Sequence, residues 1–240
     1  MKNLRGLAGL AVLFACAPLA QAQLTIYMSD SFGHVLTVTD GGAGDISSVA
    51  NSIVIDPSLL VSTFSQLDPT TLVSGTDNFG TSDPYRYVSE NVLLKAFNPT
   101  GGQSAGDIFI QISDTGFTVP STDPKMLSAA FSGSFTNASP ATGAEFTGEA
   151  DFNNVLFGQT VLTNTASFSS TGSLPNAFSA NLGYPIFSGA PYSMTAYSNF
   201  QLDSGAVVQA TGIVAATPAP EPVSIAFLAC GVVALLRRRR

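Results

Sequence analysis

The chain has 240 residues, of which 45% are hydrophobic and only 10% are charged, and its formal net charge is −7 at pH 7. Six of its nine basic side chains lie at the two ends, so the long middle part carries three basic side chains against 15 of the 16 acidic ones. Such a surface repels nucleic-acid phosphates, and we predict no nucleic-acid partner. Both cysteines, Cys16 and Cys230, lie in the apolar ends, which excludes a disulfide framework or a cysteine metal site in the middle part.

Residues 1–22 have the three parts of a secretory signal peptide. Two basic side chains within the first five residues precede an apolar run over residues 6–19, and Ala20 and Ala22 form an Ala-x-Ala cleavage site. We therefore predict passage through the secretion machinery and cleavage by signal peptidase after Ala22. A retained N-terminal anchor would need a longer apolar run of about 20 residues.

A second route of export is left open by Cys16. The stretch Leu-Phe-Ala-Cys that ends at this residue is similar to a lipoprotein processing site, at which the cysteine would be acylated. The bulky Phe14 fits such a site poorly, and the Ala-x-Ala site lies just downstream. The signal-peptidase route is therefore the leading prediction.

Residues 23–217 are predicted to form one exported all-β domain. Runs of alternating apolar and polar side chains indicate strands with one buried and one solvent-facing side. These runs cover residues 24–28, 34–39, 49–55, 85–97, 107–112, 131–136, 145–152, 162–168, 193–202 and 206–214. No amphipathic helix is predicted before residue 223. The pattern fits an antiparallel β-sandwich, of which a jelly roll is one form, flanked by a signal peptide and a single C-terminal hydrophobic helix.

His34 is the only histidine, so any Ser-His-Asp triad would have to use it. His34 shares a predicted strand face with Leu36 and Val38, which predicts a structural position instead, either buried or at a strand edge.

A Gly-rich turn at residues 40–45 is a weak candidate for a Ca²⁺ site. It is similar to a calcium-binding Gly-Gly-x-Gly-x-Asp repeat, but it is one residue short and occurs once. Asp40 and Asp45 would supply the oxygen ligands that hard cations prefer. A hairpin turn without a metal is the simpler prediction, and no other cofactor is expected.

Glu149 and Asp151 are the candidate catalytic pair. They are two residues apart on one predicted strand, which separates them by about 6.6 Å, at the lower edge of the range for inverting glycosidases. A secreted glycoside hydrolase is therefore an alternative function. The simpler prediction is a solvated strand face shared with Glu145 and Thr147, so we expect a protein that is not an enzyme.

Residues 218–240 form a C-terminal segment of their own. Residues 223–236 carry no charge; they are preceded by Pro220, Glu221 and Pro222 and followed by Arg237, Arg238, Arg239 and Arg240. As a helix this apolar stretch spans about 21 Å, short of a hydrocarbon core of about 30 Å. The arginines favour the cytoplasmic side, so the tail predicts an inner-membrane helix with the domain outside the cytoplasm.

The tail resembles the PEP-CTERM family of sorting signals, in which a Pro-Glu-Pro tripeptide, a short hydrophobic helix and a terminal arginine cluster follow in this order. Similar tails are also labelled as ice-binding protein C-termini, a label that describes the tail and not the domain. The resemblance implies processing by an exosortase, a membrane enzyme of Gram-negative bacteria that make extracellular polysaccharide. It also implies transient anchoring in the inner membrane, then a place at the cell surface or in the extracellular matrix.

The leading hypothesis is therefore a non-enzymatic envelope or matrix protein associated with exopolysaccharide or biofilm. A surface carbohydrate- or cation-binding module and a secreted hydrolase are the alternatives. An ice-binding domain would need a flat, regular Thr-rich face, which the scattered threonines do not supply. A plain stop-transfer anchor, with no processing enzyme, is the alternative for the tail.

Overall fold

The computed structural model describes residues 23–97, 106–172, 175–183 and 185–219. They form two antiparallel seven-stranded sheets that pack face to face, which confirms the predicted all-β sandwich. The predicted signal peptide and residues 220–240 of the predicted sorting tail, which include Cys16, the cleavage site, the Pro-Glu-Pro motif and the arginine cluster, lie outside the described residues; Pro218, assigned to the tail, ends the last strand instead. Within the described part of the chain, no helix is long and apolar enough to cross a membrane.

Fourteen strands and one helix follow one another along the described chain. In chain order they are β1 (Thr25–Asp30), β2 (Val35–Thr39), β3 (Ser52–Val54), α1 (Pro57–Thr63), β4 (Leu72–Asp77), β5 (Arg86–Lys95), β6 (Gly106–Phe117), β7 (Lys125–Thr136), β8 (Gly143–Asp151), β9 (Val161–Leu162), β10 (Ala166–Ser169), β11 (Asn176–Leu182), β12 (Ile186–Phe187), β13 (Tyr192–Leu202) and β14 (Val207–Pro218).

Strands that follow one another in the chain are divided between the two sheets. The first sheet runs β10-β8-β13-β6-β1-β2, with β9 paired to β8, and the second runs β11-β7-β14-β5-β4-β3, with β12 paired to β7. All these pairings are antiparallel. The chain passes from one sheet to the other between β2 and β3, β5 and β6, β6 and β7, β7 and β8, β10 and β11, β12 and β13, and β13 and β14.

The core lies between the sheets because alternate side chains of each strand point inward. Ile108, Ile110 and Ile112 of β6 are fully buried, as their alternation predicts. Across the gap between the sheets, Phe131 stacks on Phe146 with ring centroids 4.8 Å apart. Aromatic rings from both sheets thus fill the interior of a protein that has no tryptophan.

Two glycines mark places where the sheets come closest together. A Cβ atom at Gly212 of β14 would lie 2.4 Å from Cε2 of Phe146. A Cβ atom at Gly75 of β4 would lie 2.7 Å from Cγ2 of Ile112 and 3.4 Å from Cδ1 of Ile26. Gly75 therefore faces β6 and β1 directly, which fixes how the two sheets are aligned.

Several elements differ from the sequence-based prediction. The short helix α1 was not predicted; the Asp56 side chain caps it by accepting a hydrogen bond from the Ser58 amide, and proline occupies its first turn. The strand predicted over residues 162–168 is divided into β9 and β10, because the Thr163 hydroxyl accepts the bond that the Gly148 amide would give to a strand backbone. β4, β11 and β12 were also not predicted.

Candidate functional site

Two tyrosines lie with polar side chains on the solvent side of the first sheet. Tyr197 of β13, Gln111 of β6 and Tyr27 of β1 are neighbours in one row across the strands. Asn199 of β13 and Glu145 of β8 are paired in the adjacent row. We call these five residues the tyrosine face. Two strand spacings separate the tyrosines, or about 10 Å, a distance that two linked sugar rings span.

Of the hydrogen-bonding groups of the tyrosine face, one carboxylate oxygen is already bonded and one amide oxygen is buried. The Ser167 hydroxyl donates to Oε1 of Glu145 at 3.1 Å, and Oδ1 of Asn199 has no hydrogen-bond partner among the described residues. Burial raises the pKa of the Tyr197 hydroxyl, and the charges of Glu145 and Glu149 raise it further. Tyr197 therefore stays a neutral donor close to two carboxyl groups.

A segment that we call the cover, residues 152–160, folds back over the end of β8. It buries Glu149 and Asp151, each only 3% exposed, so the expectation that they share a solvated strand face was wrong. Their side chains do point to the outer side of the sheet, but the chain that follows β8 shields them from solvent. Glu145, further along the strand, is exposed as expected.

Asp151 holds the cover through several hydrogen bonds. Its carboxylate accepts from the Thr160 hydroxyl, from Nδ2 of Asn153 at 3.1 Å and from the Val155 amide at 3.1 Å. Burial opposes ionisation of this group, but these hydrogen bonds outweigh burial and hold the pKa of Asp151 below its usual value. Asp151 is therefore an ionised acceptor that fastens the cover.

Glu149 has the opposite electrostatic environment. Burial raises the pKa of its carboxyl group to about 7, and one hydrogen bond from Nε2 of Gln159, at 3.0 Å, only partly offsets this. Its second oxygen, Oε2, has no hydrogen-bond partner among the described residues. The two carboxyl groups that the sequence singled out thus have pKa values shifted in opposite directions.

The cover is also fastened to the middle of the sheet. The Phe157 amide donates to the Ser113 hydroxyl at 3.2 Å, and Oδ1 of Asn154 accepts from the Gly116 amide at 2.6 Å. The Phe157 ring lies against Tyr27, with centroids 6.0 Å apart. Phe157 has a φ of 59°, an uncommon conformation for a bulky residue that these contacts hold in place. The cover therefore forms one wall beside the tyrosine face.

His34 is not buried and does not lie in a strand. It precedes β2 in an exposed turn, where its ring Nδ1 lies 2.7 Å from Oδ2 of Asp30. Burial opposes ionisation of Asp30, but hydrogen bonds from His34 and Gln66 outweigh it and lower the pKa of that carboxyl group. The structure thus corrects the predicted position of His34 on a strand face, and its aspartate partner fixes the turn.

Asp45 stabilises the Gly-rich turn through backbone hydrogen bonds. It accepts from the amides of Gly41 at 3.0 Å, Ser47 at 2.8 Å and Val54 at 3.0 Å. Asp40 instead accepts from the Asn51 amide at 2.8 Å. The hydrogen bonds of Asp45 are those of a structured turn, while Asp40 lies closer to other carboxyl groups at this end of the sandwich.

Besides Asp30, three buried carboxyl groups were not identified from the sequence. They are Asp77 of β4, Glu90 of β5 and Asp114 of β6, which are 7%, 0% and 1% exposed. The alternation of side chains along β5 could have identified Glu90. It lies two residues from Val88 and two from Val92, so all three share the inner face.

The outer face of the second sheet has an open cleft of about 330 Å³ between β11, β7 and β14. Its lining includes small uncharged side chains, among them Ser132, Ser179, Asn181, Thr211 and Ile213. Ser179, Ser132 and Thr211 form one row across the three strands. Since the cleft lacks an aromatic side chain on the outer face, it offers fewer contacts to a sugar ring than the tyrosine face.

No protein-family model and no curated protein matches the chain. Among solved structures, an isomalto-dextranase of Arthrobacter globiformis complexed with panose is 15% identical, with a TM-score of 0.26; the match covers 58% of this chain and 20% of the other. Carbohydrate-binding modules from the β-sandwich superfamily are 8% identical, with a TM-score of 0.31, covering 78% of this chain and 70% of the other. The infectious bursal disease virus VP2 subviral particle is 10% identical, with a TM-score of 0.21, covering 88% and 64%. Values this low imply neither a shared family nor a shared function.

Proposed function

We propose that the chain is a non-enzymatic exported protein of the cell envelope or extracellular matrix that binds a neutral region of polysaccharide through the tyrosine face. The arrangement of Tyr27, Gln111 and Tyr197 in one row is the observation that carries this proposal. Aromatic rings pack against the apolar faces of sugar rings, while amides and carboxylates bond to their hydroxyls. The adjacent Asn199 and Glu145 supply these polar groups.

The sandwich type is part of the same proposal. From β5 onwards, the second sheet contains the order β5-β14-β7-β11 and the first contains β6-β13-β8-β10. Two interleaved four-stranded sheets of this kind support assignment to the double-sheet jelly rolls. In this arrangement the two outer faces are broad surfaces, of which the first bears the tyrosine face.

The route to the cell surface rests on the two ends of the sequence. The signal peptide directs the domain out of the cytoplasm, and the Pro-Glu-Pro motif, apolar stretch and arginines hold the tail in the inner membrane. An exosortase then removes the tail and releases the domain to the surface or matrix. This would place the tyrosine face where exopolysaccharide is made.

Binding is tested with the full-length chain, purified in a mild detergent, and exopolysaccharide from its own cells. Tyr197→Ala should weaken binding about tenfold, because a stacked ring contributes on the order of 1 kcal/mol. Tyr87→Ala is the matched control, since Tyr87 is partly buried on the outer side of the second sheet. Affinity gel electrophoresis measures both. Equal retardation of wild type and Tyr197→Ala would overturn the binding proposal.

Processing is tested by mass spectrometry of the protein from its own cells. Wild-type cells should yield molecules that have lost Arg240 and the preceding tail, whereas cells without exosortase should retain it. An intact C-terminus on most wild-type molecules would contradict the sorting proposal and leave a plain membrane anchor in its place.

A secreted hydrolase that uses Glu149 and Asp151 is the second candidate function. The observation in its favour is the divergence of their pKa values, since a glycosidase needs one protonated and one ionised carboxyl group. The hydrogen bonds of Asp151 to the cover oppose it. Release of reducing sugars by wild type, lost in Glu149→Gln, would support the hydrolase; no release by wild type on the bound polysaccharide would exclude it.

A further inference from the structure

Three aspartates, Asp40, Asp77 and Asp114, lie at one end of the sandwich, each in a strand or next to a strand end. Thr25 of β1 pairs with Ser113 on one side and Thr39 on the other, so the next row contains Asp114, Leu24 and Asp40. The Asp40 amide donates to the Leu24 carbonyl at 3.0 Å, which continues the row beyond β2. Asp114 and Asp40 therefore flank Leu24 on the inner side of the first sheet.

Asp77 reaches the same place from the second sheet. Gly75, two residues earlier in β4, faces Ile112 and Ile26 across the core. Because side chains alternate along a strand, Asp77 points to the same side as Gly75, and its charge acts on Asp114, which lies two residues beyond Ile112. A backbone bond from the Asp77 amide to the Asn51 carbonyl, at 3.2 Å, links it further to the loop whose Asn51 amide binds Asp40.

The two inner carboxylates have capacity that the protein does not use. Asp77 Oδ1 accepts from the Phe79 amide at 2.6 Å, and Asp114 Oδ1 accepts from the Thr115 amide at 2.7 Å. Within the described parts of the chain, Oδ2 of each has no hydrogen-bond partner, although Asp77 is 7% exposed and Asp114 is 1% exposed. Buried oxygens left in this state are costly unless an ion or a water satisfies them.

Nearby positive charge does not fill this role. Arg86 is close enough for its charge to favour ionised Asp77, but its guanidinium donates to the carbonyls of Thr81, Asp83 and Tyr85. Burial raises the pKa of Asp77 to about 6 and that of Asp114 to about 7, and repulsion among the three aspartates adds to both. A compensating cation would reverse these shifts.

An opening to solvent adjoins the cluster. A cleft of about 380 Å³ is lined by Asp40, Gly41 and the loop residues 47–50. Asp40 thus lies between this cleft and the inner carboxylates. Its negative charge would attract a cation from solvent and lower the barrier to entry.

We propose that this end of the sandwich binds one hard divalent cation of the Ca²⁺ class, held by Asp77 and Asp114 and bridging the two sheets. No group of three or more acidic, histidine or cysteine side chains among the described residues is arranged to hold a metal ion, so Asp77 and Asp114 would be its two carboxylate ligands. Backbone carbonyls and water therefore complete the coordination, which Ca²⁺ accepts because it takes six to eight oxygens in flexible geometry. Asp40, which lies between the cleft and these two ligands, would attract the cation by its negative charge. This site is independent of the tyrosine face.

The test is thermal unfolding of the full-length chain in mild detergent at pH 8, with 5 mM Ca²⁺ or with a chelator. Wild type should gain about 3 °C in Tm with Ca²⁺, the shift expected for a site of sub-millimolar affinity in a chain of this size. Asp77→Asn and Asp114→Asn should each lose most of this gain. Since asparagine removes a buried charge, neither variant should be less stable than wild type in the chelator.

Glu90→Gln is the matched control, because Glu90 is also buried with one unpartnered oxygen but lies in β5, outside the cluster. It should keep the full Ca²⁺ shift. Equilibrium dialysis with radioactive Ca²⁺ should find about one site per wild-type chain. An unchanged wild-type Tm, or a shift that persists in both aspartate variants, would overturn the proposal and assign any Ca²⁺ effect to the acidic surface.

Discussion

Glu90 lies in the centre of the sandwich with no exposed surface. The Ser198 hydroxyl, from the opposite sheet, donates to its Oε1, and its Oε2 has no hydrogen-bond partner among the described residues. Burial raises the pKa of this carboxyl group to about 7, and the bond from Ser198 offsets only part of that rise. At neutral pH the residue is therefore divided between its protonated and ionised forms inside an apolar core.

Glu90→Gln should stabilise the protein at pH 8 and leave its stability nearly unchanged at pH 4.5. Glutamine keeps the shape of the side chain and an acceptor for Ser198, but it removes the cost of a buried charge. A raised pKa in the folded state means that stability falls as pH rises from about 4.5 to about 7, by on the order of 2–3 kcal/mol for this residue. Urea unfolding at the two pH values measures the difference.

Glu145→Gln, at an exposed position, should change little at either pH. A Glu90→Gln protein that is less stable than wild type at pH 8 would show that the carboxyl group contributes more than its charge costs.

For single residues, the sequence predicts well which side chains point into the core, but it predicts less well which outward-pointing side chains are shielded from solvent. Alternation placed Ile108, Ile110 and Ile112 inside, and the same rule applied to Val88 and Val92 would have placed Glu90 inside too. It failed for Glu149, because the alternation rule assumes that the outer side of a strand meets water. The cover that excludes water there is held by contacts between residues distant in sequence.

The cover is the element whose stability depends most on one carboxylate. Asp151 accepts hydrogen bonds from three of its residues through both oxygens, whereas asparagine keeps one acceptor oxygen and replaces the other with an NH2 group, so at least one bond is lost together with the charge. Asp151→Asn should therefore destabilise the protein by about 1–3 kcal/mol and open residues 152–160 to solvent. Limited proteolysis should cut this variant faster within the cover.

Glu145→Gln is again the control, since it lies on the same strand and outside the cover. Equal proteolysis of Asp151→Asn and wild type would show that Phe157 and Asn154 hold the cover without the carboxylate. Such a result would leave the burial of Glu149 intact and would contradict the role given to Asp151.

Element types were more predictable than their limits. The strand β13 was predicted almost in full and the first half of β6 was predicted over residues 107–112, because alternating residues there carry a clear period of two. The helix α1 has seven residues, too few to show a helical period, and its cap at Asp56 was not recognised. β4 contains Gly75 and polar residues because it packs closely on the first sheet, so its sequence does not look like a strand.

At the scale of the molecule, four buried carboxyl groups among the described residues share one direction of pKa shift. Burial is the largest cause for Asp77, Glu90, Asp114 and Glu149, and the folded-state values lie at about 6 to about 7. In each case the folded protein binds protons more tightly than the unfolded chain. The stability that these four groups contribute is therefore fully present below about pH 4 and is lost as pH rises through about 7.

In a chelating buffer, we expect the Tm to be higher at pH 5 than at pH 8, by at least about 5 °C. With Ca²⁺ the difference should shrink, because a bound cation favours ionised Asp77 and Asp114. Differential scanning calorimetry between pH 4 and 9 measures both curves. A Tm that rises from pH 5 to pH 8 in the chelator would contradict the direction of these shifts.

The aspartate cluster shows what the sequence does not carry at this scale. The prediction grouped Asp40 with Asp45 because they are close in the chain, whereas the fold aligns Asp40 with Asp77 and Asp114. That alignment depends on strand pairing and on the close approach of the sheets at Gly75. Neither is visible in local alternation, since both are set by contacts between distant segments.

The first and last strands of the described chain begin and end at the same end of the sandwich. Thr25 at the start of β1 pairs near the end of β6, and Pro218 at the end of β14 pairs with Lys125 at the start of β7. A short link joins the end of β6 to the start of β7, so these sites are neighbours. In a domain tethered by its C-terminal segment, this end of the sandwich would therefore lie nearest to the tether. The aspartate cluster would lie at its base, and the turn that contains His34 would lie at its outermost tip.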